Sequence, residues 1–340
     1  MALGKTTDKP LFCEVQVAFL ASRLLVITEP LATIHGLRKT PSPKMTTPYR
    51  DYPNSYLEEP RRIPDPIVSL LEEYSGVPQD RQLEHILKVR NGAYQVHPYP
   101  CLGRFRFIEL DLSSHPLYHE HVVPQLKQPS SDPTRDPQPV FLDLGTCLGQ
   151  DIRKLIFDGA DPSHIYGSDI VPDFISAGYE LFKDEARLPR DHFICPADVF
   201  DRSEDNGLSI LDDKVDILHA TAVFHLFPGE QQAAVAERCL KLLRKRPGHR
   251  SLVLGAQAGN VEAVEMVGRD GGKRFRHNEE SWKKLWDDVC ARKEFRDVVK
   301  SVDVTSVLKQ RQFGGSEQRK HDDSVEEGHR WMVWQVWIEF

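Results

Sequence analysis

The stretch FLDLGTCLGQD, residues 141–151, decides the fold. Phe141, Leu142 and Leu144 read as a buried strand with Asp143 near its end. Gly145 and Gly149 mark a turn, and QDIRKLIFDGA, from Gln150 on, has the apolar spacing of a helix. The first turn of a helix presents unpaired backbone N–H groups, and glycine lets a ligand approach the backbone closely. A dinucleotide site would need G-x-G-x-x-G, which this stretch does not complete. Asp143, two residues before the first glycine, would repel a pyrophosphate but could receive an ammonium group.

Outward from this turn the texture repeats. Short apolar runs at 140–144, 165–170, 192–195, 215–219 and 251–255 alternate with helical segments at 150–160, 172–186 and 229–246. Such alternation predicts a doubly wound α/β fold, with helices on both faces of a mostly parallel sheet. A helix at 280–295 and two β-rich stretches at 298–308 and 329–340 follow. They predict an antiparallel hairpin closing one edge, which makes seven strands.

Upstream, 67–78 and 80–95 read as amphipathic helices, and HPYPCLGRFRFIELDL (97–112) reads as a strand or extended lid. Residues 124–139 are proline-rich with almost nothing apolar, hence a linker. The organisation expected is an extension over 1–45, disordered or outside the functional protein, a helical and aromatic cap over 46–123, the linker 124–139, and a ligand-binding domain over 140–340. The early apolar stretch 15–27 is interrupted by Gln16, Ser22 and Arg23 and is too short to span a bilayer. Arg23 and Glu29-Pro30 spoil a signal-peptide reading.

Composition narrows the class. The 340 residues carry 44 Lys and Arg against 51 Asp and Glu, a net charge of −7 that disfavours a nucleic-acid partner. Apolar residues make up 40%, enough for a sizeable core. The six cysteines are scattered, with no CxxC and no His/Cys cluster, so neither a metal centre nor a disulfide framework is expected. Reduced thiols place the chain in the cytoplasm. A small-molecule substrate is the expected partner, and a homodimer stays open.

The 141–151 stretch resembles motif I of class I S-adenosylmethionine-dependent methyltransferases, D/E-x-G-x-G-x-G. Asp143, Gly145 and Gly149 fit, and Cys147 stands where the middle glycine would be. The resemblance implies a Rossmann-like sheet binding S-adenosyl-L-methionine at this turn, Leu144 included. Asp169, about twenty residues beyond Gly149, would then accept the ribose hydroxyls. Asp198 would meet the adenine amino group, and Ile170 and Val199 would enclose the ring. His219, Ala220 and His225, in LHATAVFHLF, would lie by the methionine portion and the substrate.

The phrases HPYPCLGRFRF and LDLGTCLGQDIRKLIFDGADPSHIYGSDI resemble fungal carboxyl O-methyltransferases of meroterpenoid pathways. This implies methyl transfer to the carboxylate of a prenylated aromatic acid. Tyr99, Arg104, Arg106 and His97 would aim that apolar acid, and Phe105 and Phe107 could bury its prenyl-like body. A phenol or enol acceptor, with His225 or His219 as base, is the alternative within the enzyme class. A methyltransferase-like regulator without turnover is the alternative outside it.

Overall fold

The computed structural model describes residues 56–127, 138–203, 205–268, 271–310 and 327–340, all within one compact unit, Met45–Phe340. The expected extension over 1–45 and most of the expected linker lie outside the described residues.

Strands β1 (Phe141–Leu144), β2 (Ile165–Ser168), β3 (Phe193–Ile194), β4 (Ile217–His219) and β5 (Arg250–Asn260) run parallel. Their connections are α5 (Gln150–Phe157) between β1 and β2, α6 (Pro172–Phe182) between β2 and β3, and α7 (Gly229–Leu242) between β4 and β5. After α8 (Glu279–Cys290), β8 (Ser301–Lys309) and β9 (His329–Glu339) complete the sheet in the order β3-β2-β1-β4-β5-β9-β8. The expected seven-stranded sheet and its closing antiparallel hairpin are therefore present. Strand β9 inserts between β5 and β8 because Met332, Trp334, Val336 and Ile338 alternate into the core. On the edge strand β8, Ser301, Asp303 and Thr305 meet solvent, which discourages further pairing.

Each face of the sheet buries its own cluster. Trp282 and Trp286 of α8 and Val235 and Cys239 of α7 pack on Leu142, Leu218, Val253 and Trp334. On the other face, Ile152, Leu155, Ile175 and Tyr179 meet Phe141, Ile165, Ile217 and Leu254. Each such side chain contributes about 1.5–3 kcal/mol when fully buried.

The N-terminal part is helical, as expected. α1 (Asp65–Ser69) continues into a wider turn over Leu70–Tyr74, and α2 covers Gln82–Val96. Its apolar side chains share one core with Leu148, Phe174, Leu181 and Phe182 of the methyltransferase-like part. The stretch 97–112 departs from expectation. It is no strand but α3 (Pro100–Gly103) and a tight helical turn, Arg106–Ile108. Pro100 starts the helical turn, and Phe105 takes a left-handed φ of 58°. Phe105 and Phe107 are consequently core residues, with the Arg90 guanidinium 4.1 Å from the Phe105 ring. α4 (Val123–Leu126) reaches into the first residues of the expected linker and buries Val123 and Leu126.

One element had no counterpart in the expected organisation. Between β5 and α8 lies a separate antiparallel pair, β6 (Val264–Val267) and β7 (Lys273–Arg276).

Candidate active site

The carboxyl ends of β1, β2 and β4 meet where an open α/β sheet binds ligands. The turn after β1 is pinned to β2, because Gly145 and Thr146 N–H both donate to the Ser168 carbonyl, at 2.8 and 2.9 Å. Gly145 takes φ 73°, and a Cβ there would lie 2.7 Å from the Val223 methyl. The glycine thus lets the segment after β4 close against the turn. Gly149 takes φ 66° and leads into α5. Cys147, in place of a glycine, adopts φ 53°.

Asp143 does not present its carboxylate outward. It is buried; one oxygen accepts from Thr146 Oγ1 at 2.7 Å and the other meets His219 Nδ1 at 2.7 Å. His219 Nε2 reaches Thr221 Oγ1 at 2.7 Å, and that oxygen accepts the Ala256 N–H at 3.1 Å. Burial opposes charge on His219, but Asp143, aided by Asp151 and Asp111, outweighs it and raises the imidazole pKa. This chain ties the motif turn to the segment after β4. His219 is therefore buried in the scaffold, with both ring nitrogens engaged. Behind it, burial lifts the Asp151 carboxyl to about 7, with His219 opposing and Asp143 adding to the shift.

Asp169 is better placed for a ligand. Its oxygens accept the Cys147 N–H at 2.9 Å and the Val171 N–H at 3.0 Å. Burial raises its carboxyl to about 6, against the pull of these backbone donors. Beside it Ile170 is 54% exposed, an apolar side chain left open at a strand end. Asp198 is exposed and accepts the Phe200 N–H at 2.9 Å, while Val199 packs partly into the core. Ala220 is buried, and its carbonyl fills the space that a Cβ on Gly255 would need.

Two features escaped the sequence reading. Gln150 Oε1 is buried with no hydrogen-bond partner among the described residues, at the start of α5. Asp169 itself braces the motif loop through Cys147, a role that spacing could not reveal. A nucleoside with an ammonium tail fits this set: a carboxylate and an exposed apolar side chain for ribose and adenine, and an orphan acceptor for the cation. The residues fit S-adenosylmethionine.

Among the acceptor candidates, Tyr99 packs on His97 at 4.1 Å and on Phe174 at 5.9 Å between ring centres. Burial lowers the His97 pKa. Arg106 is engaged with Glu109 and Asp111 and lies 4.8 Å over the Trp331 ring. Arg104 is half-buried; burial raises the Glu109 carboxyl pKa, and Arg106 and, more weakly, Arg104 oppose that rise. His225 Nδ1 accepts the Ala258 N–H at 3.3 Å. Burial, then Arg276, Arg274, His329 and Arg106, hold its pKa well below the usual value. Among the described residues no group of His, Cys, Asp and Glu could hold a metal, and no helix is long and apolar enough to cross a membrane.

Comparison with known proteins agrees with this geometry. Residues 55–108 match the meroterpenoid methyltransferase N-terminal domain. The O-methyltransferase phiE of a fungal species is 40% identical over 66% of this chain and 71% of its own. The methyltransferase trt5 of Aspergillus terreus is 37% identical over 69% of this chain and 79% of its own. The asnovolin E/chermesin D methyltransferase nvfJ of Aspergillus novofumigatus is 34% identical over 67% and 77%. The solved magnesium protoporphyrin IX methyltransferase of Synechocystis covers 82% of this chain and 98% of its own, at 14% identity and TM-score 0.38. By its likeness to phiE, trt5 and nvfJ, the chain belongs to the fungal S-adenosylmethionine-dependent methyltransferases of meroterpenoid and related secondary-metabolite pathways.

Proposed function

We propose that this enzyme methylates the carboxylate of a prenylated aromatic acid. The observation that carries the reading is the state of His225. Its Nδ1 is taken by the Ala258 N–H, so the ring proton of the neutral imidazole sits on Nε2. Burial and the surrounding arginines keep it neutral. It is therefore a hydrogen-bond donor with no free basic nitrogen. His219, the other candidate base, is closed between Asp143 and Thr221. A phenol or enol acceptor needs a base, whereas a carboxylate is ionised at neutral pH and needs only donors to aim it.

The bound cofactor supplies an electrophilic methyl group on a sulfonium. A carboxylate acceptor would take that methyl with no proton moved, so the chain's own residues would need only to hold and aim the two molecules. The protein's task is to bring the two atoms into line about 3 Å apart, where orientation supplies much of the rate. Asp169 and Ile170 hold the nucleoside end, with Asp198 and Val199 toward the base. The chain Thr146–Asp143–His219–Thr221 keeps the turn and the segment carrying Ala220 and His225 in register. Residues 56–123 roof the acceptor, with Tyr99, Arg104 and Arg106 on its side. Five free cysteines among the described residues fit a cytoplasmic enzyme.

The pH profile tests this reading. At saturating cofactor, kcat is expected to be flat between about pH 7 and 9. A limb rising through that range and abolished in His225→Ala would identify a general base and overturn the carboxylate assignment.

A further inference from the structure

Two thiols from different parts of the chain meet beside the motif turn. Cys101 follows Pro100 in α3, and Cys147 lies between Gly145 and Gly149. Their side chains are hydrogen-bonded to each other. Both are half-buried against one apolar cluster that includes Leu102 and Leu148, so the packing holds the two backbones on either side of the contact. Both are free thiols. The other described cysteines differ: Cys239 and Cys290 are buried, and burial pushes the Cys195 thiol up to about 12.

The pair is chemically unequal. The Cys147 side chain brings the Cys101 pKa down against its burial, and the Leu102 backbone and Arg106 add to the shift. The same hydrogen bond, and then burial, raise Cys147. A thiolate is the form that attacks a peroxide, and a thiol in contact with it is placed to resolve the product.

We propose that Cys101 and Cys147 are a modification site, closing to a reversible disulfide when a peroxide reaches the protein and thereby lowering its affinity for the cofactor. The Cys101 sulfur attacks one peroxide oxygen, forming an S–O bond as the O–O bond breaks, and the other oxygen leaves as water. The Cys147 sulfur then displaces the oxygen held on Cys101, which leaves as a second water with the remaining thiol proton. The two sulfurs lose two electrons, and the peroxide gains them. A dithiol reductant reverses the step.

A covalent bond is shorter than a thiol hydrogen bond, so oxidation draws Cys147 toward α3. The Cys147 N–H braces the Asp169 carboxylate at 2.9 Å, and the residue already holds a φ of 53° that few side chains adopt. Moving it disturbs that carboxylate, a consequence that rests on the reading of Asp169 as the ribose acceptor.

The test uses the full chain, reduced and then treated with equimolar hydrogen peroxide. Remaining thiols are blocked, and peptides are mapped by mass spectrometry without reductant. The expected product is a peptide pair joining Cys101 to Cys147. Calorimetry should show S-adenosylhomocysteine bound at least about tenfold more weakly by the oxidised protein, the loss of one hydrogen bond to a charged group, and dithiothreitol should restore it. Cys101→Ser, and independently Cys101→Ala, should bind S-adenosylhomocysteine as the reduced wild type does and lose the response to peroxide. No bridge, or a bridge made by another cysteine, would overturn the modification site. The same loss of affinity in both Cys101 variants would overturn its control of the cofactor. So would a Cys101–Cys147 bridge with unchanged affinity while reduced Asp169→Ala binds weakly. Unchanged affinity in both the bridged protein and reduced Asp169→Ala would overturn the reading of Asp169, and this control with it.

Discussion

Asp169→Ala is expected to weaken binding of S-adenosylmethionine and S-adenosylhomocysteine by roughly 10²-fold, and by no less than tenfold. A carboxylate accepting from two ribose hydroxyls makes charge-assisted bonds worth on the order of 1.5–3 kcal/mol each. The same residue braces the motif loop through the Cys147 N–H, so its loss also loosens the turn. Asp169→Asn keeps one oxygen acceptor and should fall between the two. The pH dependence has a definite sign. With the carboxyl raised to about 6, the anion needed by the ribose is complete above that value, and affinity should fall as pH drops through it. The ligand-free protein behaves oppositely. A raised carboxyl pKa favours folding when protonated, and that contribution is lost as pH rises through about 6. Calorimetric affinity unchanged by Asp169→Ala would move the nucleoside site elsewhere.

Arg153→Met should be the most destabilising single change at the site's foundation. The guanidinium pairs with Asp184 through Nε at 2.9 Å and Nη2 at 3.0 Å, both side chains fully buried. Its Nη1 also donates to the Leu148 carbonyl at 2.9 Å, directly supporting the motif turn. Tyr74 of the N-terminal part donates to Asp184 at 2.8 Å, so the same pair fastens the roof to the sheet. Removing one partner leaves a buried, uncompensated carboxylate, at a cost of about 3–5 kcal/mol. For a unit of this size the melting temperature should drop on the order of 10 °C. Arg153→Met combined with Asp184→Leu removes both charges and should recover most of that loss. A double variant no more stable than Arg153→Met alone would show that the cost lies in packing around Tyr179, Phe182 and Phe193, not in the stranded charge.

Periodicity made the sheet legible. The five parallel strands and their helices are placed by alternation of short apolar runs with amphipathic segments, and β9 by its β-rich run of aromatic and β-branched residues. The 97–112 stretch was not legible for a physical reason. Phe105 and Phe107 alternate like strand residues, but Pro100 favours a helical start and Phe105 turns the chain with a positive φ. The β6–β7 pair had a signal in Asp270-Gly271-Gly272, a turn sequence between two short runs, with Gly271 at φ 79°. The run before it, VEMV, is too short and too charged to stand out. Spacing singled out Asp143 and Asp169 as candidates but not the directions of their carboxylates. Asp143 turns inward because His219, distant in sequence, is its register partner on the neighbouring strand. Asp169 faces the turn because the Cys147 and Val171 amides hold it there.

The most direct test of carboxyl methylation is the fate of labelled methyl. Farnesyl-2,4-dihydroxybenzoic acid and its pre-formed methyl ester are incubated in parallel with enzyme and methyl-labelled S-adenosylmethionine, and the products are treated with mild alkali. The predicted result is label in the free acid only, released as methanol by the alkali. Equal labelling of both compounds, or label that survives alkali, would place the methyl group on a ring oxygen or carbon and contradict the account.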